Sequence, residues 1–77
     1  METTEVEIGT ETIRLDQLLK LAGAVVSGGE VKYLISEGLI RVNGKPETAR
    51  RRQLSAGDVA TILTEEGGMS YRVVKGA

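Results

Sequence analysis

The sequence predicts an α+β fold: two short helices forming a helix-turn-helix unit, packed on a small, mostly antiparallel sheet of about four to five strands. Three observations predict it. Apolar residues recur at helical spacing in two stretches, Leu15 to Ala22 and Val31 to Ile35. Elsewhere they alternate with polar residues at strand spacing, and Asn43-Gly44 stands between two strand-like runs as a two-residue hairpin signal. At 77 residues the chain has room for one domain, expected over 1–77, with a small core. Its 40% hydrophobic and 27% charged residues place it with folded proteins, since disordered chains are depleted in the first and carry a large net charge.

The elements follow in order. Thr4 to Ile8 alternates through Val6 and Ile8 before Gly9-Thr10, which predicts a short edge strand. From Arg14 the period lengthens: Leu15, Leu18, Leu19 and Ala22 make one apolar face, so a first helix is expected over about 13–22, ending at Gly23. Asp16 and Lys20, four apart with the acid nearer the N-terminus, are expected to pair on its surface. Ser27-Gly28-Gly29-Glu30 has the form of a capping box, so a second helix starts after Ser27 and buries Val31, Leu34 and Ile35. It stops at Gly38, because the left-handed backbone that closes a helix costs glycine least.

Leu39 to Val42 then reads as a strand, and Pro46 confines the returning arm of the Asn43-Gly44 hairpin to an edge. Ser55 to Asp58 is a turn before a strand over Val59 to Leu63, which buries either Val59, Thr61 and Leu63 or the opposite set. Glu65 to Ser70 makes a further turn, and Tyr71 to Val74 a last strand.

Composition excludes several kinds of chemistry. With no Cys and no His, disulfides, thiolate nucleophiles, imidazole bases and ordinary zinc sites are out of reach, and no metal or cofactor is expected. No apolar run approaches the roughly 18 residues that span a bilayer, and Met1 to Glu5 lacks the basic start of a secretory signal, so a cytoplasmic protein without membrane contact is expected. The serines have no base beside them, so no catalytic constellation forms and a non-catalytic protein is expected.

Charge is unevenly spread. The net charge is −1, yet residues 1–12 hold Glu2, Glu5, Glu7 and Glu11 without a base, while 13–52 hold eight bases against four acids. An acidic leader before a basic middle suggests a polyanion site on one face of a near-neutral protein, although a mixed solvated surface has the same composition. Arg14, Lys32, Arg41, Lys45, Arg50, Arg51 and Arg52 are the candidate cations, and Arg suits phosphate because its planar fork bonds two oxygens at once. Gly28 and Gly29 open the second helix, where side chains reduced to hydrogen let a phosphate approach backbone N–H groups; they serve equally as a tight entry turn. Tyr33 either stacks on one base or flanks the core with its hydroxyl in water. Tyr33 and Tyr71 are the only aromatics, so the stacking platform of single-strand binders is missing.

Ile13-Arg14-Leu15-Asp16-Gln17-Leu18-Leu19, Ser27 opening a second helix, Gly38-Leu39-Ile40-Arg41-Val42-Asn43-Gly44 and Gly57-Asp58-Val59 come in that order. Together they resemble the RNA-binding domain first seen in ribosomal small-subunit protein four, the alpha-L motif, over about residues 12–63. The run Leu18 to Ala22 followed by Ser27-Gly28-Gly29 and Lys32 is similar to its small stand-alone bacterial members, the YaaA and YbcJ types. The resemblance implies a free-standing, monomeric module that binds structured RNA, ribosomal or transfer RNA, with an association with the ribosome or its assembly. Many members carry Arg directly after the capping Ser. Here that residue is Gly28, so either Lys32 or the Arg50 to Arg52 run supplies the contact or binding is weaker.

Three other readings are weaker. A DNA-binding helix-turn-helix would present Glu30, Tyr33 and Glu37 to the major groove with only Lys32 to help. A sulfur carrier needs Gly-Gly at the chain end, and nine residues follow Gly68. The alternative that remains is a protein-interaction module docking through an exposed strand edge.

Overall fold

Nine elements realise the pattern: β1 (Glu2–Ile8), β2 (Ile13–Arg14), α1 (Leu15–Leu21), α2 (Gly28–Ser36), β3 (Ile40–Val42), β4 (Lys45–Pro46), β5 (Gln53–Leu54), β6 (Val59–Ile62) and β7 (Met69–Lys75). They are seen in a computed structural model that describes residues 2–76; Met1 and Ala77, the ends of the expected domain, lie outside the described residues. Five strands form one sheet in the order β1-β7-β6-β3-β4, and β2 pairs with β5 in a second. Every pairing is antiparallel except β1 with β7. That pair is parallel because the whole fold serves as the crossover between its two strands. The class is α+β, as the periodicity predicts.

One face of the larger sheet is covered by the helices. Val6 and Ile8 from β1, Val73 and Tyr71 from β7, Ala60 and Ile62 from β6, and Ile40 and Val42 from β3 meet Leu15, Leu18 and Leu19 of α1 and Val31 of α2 in one core. Of the two sets open for β6, Ala60 and Ile62 therefore face inward. Thr61 is buried on the opposite face, where its hydroxyl lies 2.8 Å from that of Ser70, its partner in the β6–β7 register.

Two expectations about α1 need correction. The helix begins at Leu15, and Ile13 and Arg14 are a strand, paired with Leu54 and Gln53 of β5. Apolar periodicity cannot register this, since Ile13 fits a strand as well as a helix and the partner strand is 40 residues away. Asp16 is also not paired with Lys20. It is buried, its Oδ1 3.2 Å from Arg14 Nε and accepting the Gln17 N–H at 2.9 Å. A helix that starts at Leu15 puts Asp16 in its first turn, where the positive end of the helix dipole favours a carboxylate. The last strand is longer than Tyr71 to Val74, extended at both ends by its pairing with β1 and β6.

The turns meet their sequence signals. Asn43 and Gly44 both have positive φ, 52° and 83°, as a type I′ hairpin turn requires. Gly68, at φ 119°, runs so close to β6 that a β-carbon would sit 2.7 Å from the Ile62 carbonyl oxygen, which only glycine avoids. Asn43 also joins two turns: its Oδ1 accepts the Val59 N–H at 3.0 Å, and its Nδ2 donates to Asp58 Oδ1 at 3.1 Å. Asp58 Oδ2 accepts the Ser55 N–H at 2.8 Å.

The Ser55 backbone N–H, then the Asn43 amide, hold the Asp58 carboxyl below its ordinary 3.8 against the opposing effect of burial. A lowered folded pKa contributes stability that is fully present above the unfolded value and is lost as pH falls through the folded one. Melting midpoints recorded from about pH 6 down to about pH 2 should fall most steeply below the ordinary carboxylate range. Asp58→Asn should lower the midpoint at neutral pH and make that acid limb shallower; an unchanged limb would show that Asp58 is not coupled to folding.

Candidate nucleic-acid interface

The basic run is docked by its backbone. Arg14, the residue before α1, offers no side-chain cap, and the first N–H groups of the helix need acceptors. The Leu15 N–H donates to the Arg52 carbonyl at 2.8 Å and the Asp16 N–H to the Arg50 carbonyl at 3.0 Å. Residues 50–52 are thus the N-terminal cap of α1, anchored beyond by the fully buried Leu54 against Leu15. A further turn is closed by the Arg52 N–H, which donates to the Ala49 carbonyl at 3.1 Å.

The three side chains differ in their surroundings. Arg52 Nη1 lies 2.7 Å from Glu47 Oε1. Burial alone raises the Glu47 carboxyl, but the Arg52 hydrogen bond and the N–H groups of Ala49 and Thr48 outweigh it and hold the group below its ordinary value. Arg51 is exposed, and Arg50 is half-buried. Arg50 and Lys32 line one groove with Ile35 of α2 and Thr48 of the β4–β5 connection. Among the described residues no acid lines that groove.

The helix that bears Lys32 starts as its capping box predicts. Ser27 Oγ accepts the Glu30 N–H at 3.3 Å, while Glu30 Oε1 reaches one residue further back than expected and accepts the Val26 N–H at 2.9 Å. Gly28 and Gly29 form the first turn. A β-carbon on Gly28 would lie 3.7 Å from Arg50 Nη1 and 3.9 Å from Asp16 Oδ2. The structure thereby brings Gly28, Lys32 and Arg50 together, with Arg14 adjoining through Asp16.

Other candidates stand elsewhere. Tyr33 is exposed to 60%. Arg41 is on the sheet face opposite the helices, where its Nη1 donates to the Gly44 carbonyl at 3.3 Å and braces the hairpin. Lys45 is exposed on the edge strand β4. Asp16 and Thr48 were not singled out by sequence reasoning. For Asp16 the signal was present but pointed to Lys20; for Thr48, a lone hydroxyl in a loop, there was none. Among the described residues no group of acids could hold a metal ion, and no helix is long and apolar enough to cross a membrane.

A family model described as "S4 domain" matches residues 6–74, which takes in part or all of every element from β1 to β7. The chain belongs to the S4 domain family. Among curated relatives, the chain is 45% identical over 69 residues to the "Probable ribosome maturation protein RlbA" of Bacillus subtilis, an alignment covering 90% of this chain and 93% of that protein. It is 37% identical over 62 residues to the "Putative RNA-binding protein YbcJ" of Escherichia coli, covering 80% of this chain and 83% of that one. The family that the motifs resemble is therefore the family found, and its small stand-alone members are the relatives.

Within this S4 domain, the Arg52–Glu47 pair folds the β4–β5 connection back on itself. Arg52→Ala should lower stability by about 0.2 to 1 kcal/mol, the range of partly exposed ion pairs, while Arg51→Ala should leave it within error. Urea unfolding of the two variants checks this; equal stabilities would mean that the pair does not hold the connection.

Proposed function

We propose that this chain is a small, non-catalytic protein that binds structured RNA through phosphate contacts, with ribosomal RNA as its target. The observation that carries the reading is the groove in which Lys32 of α2 faces Arg50 of the β4–β5 connection without an acidic residue in its lining. Phosphate recognition needs cations on a rigid frame, and both are fixed here, one on a capped helix and one on a strand connection bonded to α1. Arg51 adds an exposed cation on the same connection, and Tyr33 offers one exposed ring for a base. With no second exposed aromatic, shape and backbone dominate recognition. The relatives' names support the target: one is named for ribosome maturation, the other for RNA binding.

The strand-edge alternative is less well supported. The outer edge of β1 carries Glu2, Glu5 and Glu7, and charge along an edge strand works against pairing with another chain.

Mobility-shift titrations with ribosomal RNA fragments, duplex DNA and single strands at two salt concentrations test the reading. RNA with helical structure should bind best. The log-log slope of affinity against salt should be about −2 to −4, from a few neutralised phosphates at roughly −0.7 to −0.9 each. Lys32→Ala should make it shallower by about one unit and weaken different RNAs alike. A salt-independent affinity would overturn the reading and favour protein docking.

A further inference from the structure

Three of the six arginines in this chain are paired with acids within it. Arg14 pairs with Asp16, Arg52 with Glu47 and Arg72 with Glu5. Arg50 has no acidic partner among the described residues, and neither does Lys32 across the groove. Two unpaired cations facing one groove repel each other, and an anion between them removes the repulsion. Arg50 is also the better prepared of the two. Its carbonyl is held by the Asp16 N–H at 3.0 Å, so its Cα is fixed, and its side chain is half-buried rather than free to sweep solvent.

Gly28 explains where that side chain stands. Its φ is not positive, so nothing in the backbone demands glycine, and glycine is a poor helix former. What glycine provides is space. A β-carbon at Gly28 would fit at ordinary contact distance, 3.7 Å from Arg50 Nη1, but a longer side chain would have to share the volume that the guanidinium occupies. This is also where the chain departs from the motif it resembles: the guanidinium beside the start of α2 comes from Arg50 and not from the residue after the capping Ser.

We propose that Arg50 is the principal phosphate contact of this chain, acting with Lys32 on one phosphodiester, and that Gly28 keeps the notch open in which Arg50 works. The ligand class is an RNA phosphate, so the proposal rests on the RNA-binding reading above. Asp16 is a positioning residue: its backbone N–H fixes Arg50 and its carboxylate turns Arg14 aside.

The test uses the full chain and a labelled RNA stem-loop, with affinity measured by fluorescence anisotropy over a range of salt and stability by thermal melting. Arg50→Ala should weaken binding about tenfold or more, the loss expected for one charge-assisted contact, and make the salt slope shallower by roughly 0.7 to 0.9. Gly28→Leu should weaken binding similarly without lowering the melting midpoint, because it improves the helix while displacing the guanidinium. Gly28→Arg combined with Arg50→Ala should recover most of the affinity and the slope, since a guanidinium returns to the same volume from the other backbone. Arg41→Ala, on the far sheet face, should bind like the parent. Parental affinity in Arg50→Ala or Gly28→Leu would overturn the proposal, as would a double variant no better than Arg50→Ala. A parent chain that binds no RNA at any salt would instead remove the reading on which the proposal rests.

Discussion

Two backbone hydrogen bonds, from the first N–H groups of α1 to the carbonyls of Arg50 and Arg52, tie the chain together at the proposed site. A helix end without acceptors is unstable when covered, and Arg14 supplies no side-chain cap. Capping from 34 and 37 residues away satisfies the helix and at the same time fixes a connection that would otherwise be a solvated loop. The short β2–β5 pair, the buried Leu15 and Leu54 and the first-turn Asp16 all surround that junction. Because the carbonyls do the capping, the side chains of residues 50–52 are left to other tasks. One braces Glu47, one lies exposed, and one turns toward α2.

Charge in the folded molecule is segregated as it is in the sequence. The acidic leader becomes β1, one edge of the larger sheet, and is partly balanced there by Arg72 and by Lys75, which bonds Glu11. The basic segment departs from β4, the other edge, and crosses to the helices. A near-zero net charge therefore coexists with a groove lined by two cations, Lys32 and Arg50, and by no acid among the described residues. Asp16, close to Gly28, is buried and engaged with Arg14.

Much of this was legible in the sequence where local rules decide. The capping box at Ser27 and Glu30, the stop at Gly38 and the Asn43-Gly44 turn each depend on residues within a few positions of one another; the stop and the turn formed as expected, and the box starts α2 with Glu30 accepting from Val26 in place of Ser27. The motif order also pointed to the right family. What could not be read depends on contacts distant in sequence. Ile13 and Arg14 became a strand because β5 offered a partner, and Asp16 became buried because the junction with residues 50–52 closed over it. The candidate cations were likewise named without a map of which would meet. Arg41 alternates with Ile40 and Val42, so its exposure was predictable, but only the sheet order shows that it faces away from the helices. Arg50, Arg51 and Arg52 are identical in the sequence and distinct in the fold.

The proposed RNA site is the face built by the start of α2 and the β4–β5 connection, and not the open face of the sheet. Titrating the isotope-labelled chain with an RNA stem-loop while following its backbone amide resonances tests this directly. Binding at the proposed site should shift Gly28, Gly29, Lys32, Thr48, Arg50 and Arg51, with shifts that saturate together and diminish with added salt, and should leave Arg41, Thr61 and Arg72 little changed. Shifts gathered on Arg41, Thr61 and Arg72, with Lys32 and Arg50 silent, would contradict it.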